Sequence, residues 1–220
     1  MTDFQIKKPE IKDPQEIEDL SLKTISREAA TYPAFNKFYP EEQKVAQRMI
    51  HTTTCFEQII NNIYFSDNAT TRIKDLLKNG AAIITDTNMI KAGLSKNYTE
   101  KYGNNVICYV AEVPRQEGVT RTDTAVKKAL EECNNKPMIL ACGNAPTFLY
   151  AAIEYIVKEK LEISNIALIA MPVGFINVVE SKEYTLEFMQ KLDVQGIVLK
   201  GRYGGSPLVV STLHALYKAI

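Results

Sequence analysis

Histidine is the only side chain whose ordinary pKa lies near neutrality, and this chain has two, His51 and His214. Proton transfer would fall first to one of them. His51 closes a helical run that starts at Pro40 and is followed by Thr52, Thr53 and Thr54. Arg48 stands three residues earlier, on the same helical face. On composition alone His51 could equally be structural. His214 lies among Leu213, Leu216 and Tyr217 and reads as a half-buried helical histidine held by a hydrogen bond. Arg48, Arg121 and Arg202 are by default solvated charges, but with helix N-termini nearby they suit a ligand carrying several carboxylates.

Other chemistries find no apparatus in the sequence. It has no G-x-x-x-x-G-K-[ST] phosphate loop, no G-x-G-x-x-G after a strand and no G-x-S-x-G nucleophile elbow. A receiver-type phosphoacceptor fails as well. Asp86 and Lys200 sit at the first and last strand ends, but the middle strand runs into Ala141-Cys142-Gly143, with no aspartate. Cys55, Cys108, Cys133 and Cys142 form no C-x-x-C pair, so neither a zinc site nor a disulfide framework is expected.

The elements that must position these residues follow from the apolar rhythm. Asp13-Pro14 offers a cap and a first-turn proline, and Ile17, Leu20, Ile25 and Ala29 form a helical stripe. A second helix starts at Pro40, and a third, Thr70 to Asn79, stops at Gly80. The rhythm then shortens. Apolar runs at Ala82–Thr85, Val106–Val110, Met138–Ala141, Ala167–Ala170 and Ile197–Leu199 alternate with helical patterns at 122–133, 145–160, 181–191 and 207–219. Five such strands predict an α/β fold with a mostly parallel sheet covered on both faces. The expected organisation is one domain, 1–220, mainly helical over 1–80 and alternating over 81–220.

Ligands of such sheets sit beyond the carboxyl ends of the strands, where the glycine-rich turns of this sequence fall. These are Gly143-Asn144-Ala145-Pro146-Thr147, Pro172-Val173-Gly174-Phe175 and Gly201-Arg202-Tyr203-Gly204-Gly205-Ser206. Each leads toward a helix whose backbone N–H groups could hold an anion, and Thr120-Arg121 is a fourth such place.

Composition narrows the partners. The chain has 220 residues, 45% of them hydrophobic, enough for a core of ordinary size. Its 26 basic and 26 acidic residues cancel, which leaves no broad basic surface for nucleic acid. The longest apolar stretch, 166–179, is broken by Pro172, Gly174 and Asn177, and a bilayer span needs about 20 residues. The segment Met1-Thr2-Asp3-Phe4 lacks the layout of a signal peptide, so a cytoplasmic protein without membrane contact is expected.

The runs Arg48-Met49-Ile50-His51-Thr52-Thr53, Gly143 to Thr147, Met171 to Phe175, Glu180-Ser181-Lys182 and Gly204-Gly205-Ser206 occur in order. Together with Ile17-x-x-x-Ser21 and Thr120-Arg121 they resemble the precorrin-8X (cobalt-precorrin-8) methylmutases of corrin biosynthesis. The likeness extends from about Ile17 to the C-terminus. It implies a three-layer α/β/α, flavodoxin-like fold with extra N-terminal helices, a homodimer, and a site near the dimer interface. It also implies migration of a methyl group from C-11 to C-12 of a carboxylate-rich tetrapyrrole, and possible hand-over to neighbouring pathway enzymes. The catalytic histidine of the family falls on His51. Substrate binding falls on Ser21, Arg48, Thr52, Arg121, Asn144, Gly174, Lys182, Gly204, Gly205 and Ser206. Departures from the family pattern are Thr54-Cys55 for a common Gly-Asp, Ser26 for a common arginine, and His214 for a usual asparagine.

That chemistry suits the residues. The shift is formally an intramolecular 1,5-migration, so no cofactor or protein-bound metal is expected. A His51 imidazolium could protonate the ring to bias it toward migration, and substrate carboxylates would favour the charged imidazole. Met49 and Phe175 would form an apolar wall for the macrocycle. Two other readings are a non-catalytic tetrapyrrole carrier and a flavin-binding flavodoxin-like domain.

Overall fold

The computed structural model describes residues 7–220, so the signal-peptide reading of residues 1–4 lies outside it. The first helix, α1 (Pro14–Ala29), opens where the sequence places it, with the Asp13 carboxylate accepting from the Glu16 N–H at 2.9 Å. Next come α2 (Pro40–Thr53), α3 (Phe56–Ile60), strand β1 (Ile63–Phe65) and α4 (Ala69–Lys78). The alternating part holds β2 (Ala82–Thr85), α5 (Asn88–Gly93), α6 (Lys96–Tyr102), β3 (Val106–Ile107) and α7 (Arg121–Cys133). It continues through β4 (Met138–Cys142), α8 (Pro146–Lys158), β5 (Ile166–Ala170), α9 (Val178–Leu192), β6 (Gln195–Leu199) and α10 (Ser206–Lys218).

The strands form one sheet in the order β1-β6-β5-β4-β2-β3, parallel except for β1, which runs antiparallel to β6. The five expected strands are β2 to β6. Numbered among themselves they lie in the order 2-1-3-4-5, the doubly wound, flavodoxin-like arrangement. The sixth strand was not expected: β1 has three residues and pairs Ile63 with Leu199 and Phe65 with Ile197. β3 is shorter than its apolar run, because the chain turns at Tyr109, whose C=O accepts from the Glu112 N–H.

Strand side chains divide by alternation into two cores. Ile83, Ile139, Ala141, Ile169 and Leu199 face α1, α2, α4 and α10, while Ile84, Leu140, Leu168 and Val198 face α7, α8 and α9. The central strands β4 and β5 are buried throughout, as a sheet covered on both faces requires. The N-terminal helices complete one of these layers, with α2 packed along α1 and α10. Among the described residues no helix is long and apolar enough to cross a membrane.

Candidate active site

Helix α2 buries Val45, Ala46, Met49 and Ile50 against the core. The helical period then turns Arg48, His51 and Thr52 to the open side, His51 and Thr52 exposed and Arg48 half-buried. The helix stops at Thr54, a left-handed residue (φ 59°) whose N–H donates to the Ile50 C=O at 2.7 Å. His51 thus occupies the last turn, on the exposed side of the helix end.

Two hollows meet at His51. One, of about 320 Å³, lies between α2, α5 and α10, and its walls include Arg48, Thr52, Met89, Ser206 and His214. The other, of about 430 Å³, lies between α1, α2 and α3, with Ser21, Ile25, Glu28 and Phe56 in its wall. His51 belongs to both. The fold therefore joins Arg48, Thr52 and Ser206 to His51 on one side, and Ser21 to His51 on the other.

Arg48 is held from behind. Its Nη1 donates to Glu18 Oε1 at 2.5 Å, and Lys218 Nζ reaches the same oxygen at 2.5 Å. The hydrogen bond from Lys218, with the bond and charge of Arg48, keeps the Glu18 carboxyl below the usual carboxylate range despite partial burial. Glu18 was not foreseen, and no local pattern marks it, since its partners lie 30 and 200 residues away.

The strand-end turns are built differently. At the ends of β2 and β4, Asp86 is 2% exposed. Its Oδ1 accepts from the Gly143 N–H at 3.0 Å, and its Oδ2 from the N–H groups of Asn144 and Ala145 at 2.6 Å each. Burial pushes the Asp86 carboxyl up, and the three N–H donors oppose that. The anion expected at this turn is thus the chain's own carboxylate, which leaves the exposed Asn144 side chain as the group this turn can offer.

Lys182 is likewise turned inward. At 1% exposure its Nζ donates to the carbonyls of Gly201 (2.7 Å) and Tyr203 (2.9 Å), and burial pulls its ammonium down to about 8. Beside it Gly204 is packed so closely that a Cβ would stand 2.3 Å from the Met171 carbonyl oxygen. The Gly205 N–H donates to that same oxygen at 2.9 Å, which sets the entry into α10 and places Ser206 in the first hollow. Gly174 donates its N–H to the Arg202 C=O, tying the turn after β5 to the turn after β6.

Arg121 opens α7 and is exposed, and neither hollow includes it. Its neighbours Thr120 and Thr122 hydrogen-bond Thr147 at 2.8 Å, which joins the start of α7 to the start of α8. The expected apolar wall is corrected in one place: Met49 lies in the core beneath α2, and Met89 lines the first hollow instead. The reason is helical phase, since Met49 shares the inner face with Val45 and Ala46. Phe175 does project to solvent, 80% exposed, with the Arg202 guanidinium 5.6 Å from its ring centroid. Sequence reasoning missed Met89 and Gly93 because α5 has only six residues. Its one local signal is the Thr87 cap, whose hydroxyl accepts from the Met89 N–H at 2.8 Å.

Comparison with known proteins agrees with the fold and identifies the family. The model of the precorrin-8X methylmutase family matches residues 16–219. A cobalt-precorrin-8 methylmutase of Priestia megaterium is 32% identical over 95% of this chain and 89% of its own length. A precorrin-8X methylmutase of a Sinorhizobium species is 30% identical over 94% and 95%. The crystal structure of the precorrin-8X methyl mutase of Thermus thermophilus superposes with a TM-score of 0.80 at 35% identity, covering 93% of this chain and 95% of that one. A sheet of this topology, a family match along nearly the whole chain and relatives above 30% identity place the protein in the precorrin-8X methylmutase family.

Proposed function

We propose that the protein is an isomerase of corrin biosynthesis that moves a methyl group from C-11 to C-12 of precorrin-8X or its cobalt complex, giving hydrogenobyrinate or cobyrinate. The observation that carries this reading is the position of His51, exposed at the end of α2 and shared by both hollows. The bond from the methyl carbon to C-11 breaks as the bond to C-12 forms, and the electrons stay within the ring system. The His51 imidazolium lends a proton to the conjugated ring, which biases its tautomer toward migration, and recovers it from the product. Arg48, with the exposed Asn144 and Arg121 farther out, meets the peripheral carboxylates.

Both hollows lie toward the small end of ligand pockets, roughly 300–1,000 Å³, and both open to solvent. A macrocycle spreads beyond either of them. In this reading the single catalytic domain therefore works as a homodimer, with the partner supplying the missing wall. The same reading makes it a cytoplasmic enzyme that hands its product to a neighbouring pathway enzyme. A flavin phosphate finds less room, because Asp86 already fills the N–H donors at the crevice where such sheets hold it. The test is to mix purified protein with metal-free and with cobalt-loaded substrate and follow the absorption spectrum. Conversion of either one supports the mutase. A bound pigment whose spectrum never changes identifies a carrier and overturns the reading.

A further inference from the structure

His214 is half-buried in α10 and forms part of the wall of the hollow that holds Arg48 and His51. Its Nε2 accepts a hydrogen bond from the Ser95 backbone N–H at 3.0 Å, at the start of α6. An imidazole nitrogen that accepts carries no proton, so in the neutral ring the hydrogen is on Nδ1. Burial, with the positive charges of Arg48 and Lys218, holds the His214 pKa below its ordinary value, which favours the neutral ring. Among the described residues Nδ1 has no hydrogen-bond partner, and no buried side-chain nitrogen or oxygen is left unpaired. Nδ1 is therefore open to solvent. The residues around this hollow include donors such as Arg48, Thr52 and Ser206 and no carboxylate.

We propose that the Ser95 N–H fixes the tautomer of His214, so that His214 presents Nδ1–H as a neutral hydrogen-bond donor to a peripheral carboxylate of the substrate. His214 is then a substrate-positioning residue beside Arg48, distinct from the proton donor His51. The inference rests on the mutase reading above.

The test separates the two ring nitrogens. In His214→Asn the amide nitrogen can stand at the Nδ1 position, so the donor survives and the Ser95 contact is lost. In His214→Gln the amide reaches the Nε2 position, so the Ser95 contact survives and the donor is lost. The product hydrogenobyrinate serves as an absorbing ligand for titration, alongside KM, kcat and the melting temperature. His214→Gln is expected to keep the melting temperature and kcat while KM and the product Kd rise roughly tenfold, the scale of one hydrogen bond to a charged group. His214→Asn is expected to melt earlier yet bind product within a factor of two or three of the parent. If the Gln variant binds as tightly as the parent, or the Asn variant loses as much affinity as the Gln variant, the proposal is wrong. Nitrogen-15 NMR of the ligand-free parent gives an independent reading, with Nδ1 protonated expected and Nε2 protonated contradicting the proposal. Absence of turnover by the parent would refute the mutase reading, whereas the NMR tautomer reports on His214 itself.

Discussion

The crevice at the ends of β2 and β4 and the hollow between α2, α5 and α10 hold the same kinds of groups, arranged to opposite ends. In the crevice every strong group has an internal partner. Asp86 takes three backbone N–H donors, and nearby Lys182 satisfies two carbonyls of the turn after β6. In the hollow His51 and Thr52 are exposed, and Arg48, though braced by Glu18, still lines the wall. Open α/β sheets usually bind ligands at the strand-order switch, here between β2 and β4. This chain fills that place with its own carboxylate and turns the place into scaffold. Apart from the exposed Asn144 side chain, its open groups lie along α2 and at the start of α10. The lesson is that a polar residue at a strand end reports function only once its partners are known.

The contrast predicts which variants damage the fold and which damage the chemistry. The largest effect on stability should come from Asp86→Asn, which loses an acceptor and sets an N–H₂ group against backbone N–H donors. About 3 kcal/mol is expected, as for a buried charged hydrogen-bond network that loses a partner. Urea unfolding measures it, and a change under 1 kcal/mol would show that the crevice is not scaffold. The next effect falls in the hollow. Arg48→Ala should weaken product binding about ten- to a hundredfold, as for one desolvated charge-assisted bond, with little change in unfolding midpoint. Arg121 lies outside both hollows, so Arg121→Ala has a comparable effect only if a second subunit brings the α7 start to the substrate. Titration of both variants, beside sedimentation of the parent, separates these cases.

The smallest effect is in pH dependence. The His214 pKa is lowered in the fold by burial and then by Arg48 and Lys218, so the unfolded chain binds that proton more readily. Stability contributed by neutral His214 is thus complete above the ordinary histidine range and is lost as pH falls through it. Denaturant midpoints at pH 7.5 and pH 5 should drop more for the parent than for His214→Gln. Equal drops would assign the loss to other groups.

Much of this architecture could be read from the residues, and the unread parts share a cause. The α2 helix was legible because Pro40 sets its start. The strands β2 to β6 were legible as apolar runs. β1 and α5 were not, since three and six residues carry too little period and owe their place to β6 and α10. Pairings such as Asp86 with Gly143–Ala145, or Glu18 with Lys218, cross tens to hundreds of residues and leave no local trace. His51 stood out as a rare residue type at a helix end, but the residues alone left a structural role equally open, and only the family resemblance singled it out as catalytic. The half-buried, hydrogen-bonded state read for His214 is the one observed, but its place in the wall of the hollow required the fold.

The central claim is that His51 supplies the proton for methyl migration while its surroundings hold the substrate. The most direct test compares the parent with His51→Ala in single-turnover reactions on substrate carrying carbon-13 in the migrating methyl group. The parent should move the label from C-11 to C-12. The variant should bind the same substrate with similar affinity and move the label at least about a hundredfold more slowly. Migration by His51→Ala at close to the parent rate would contradict the account.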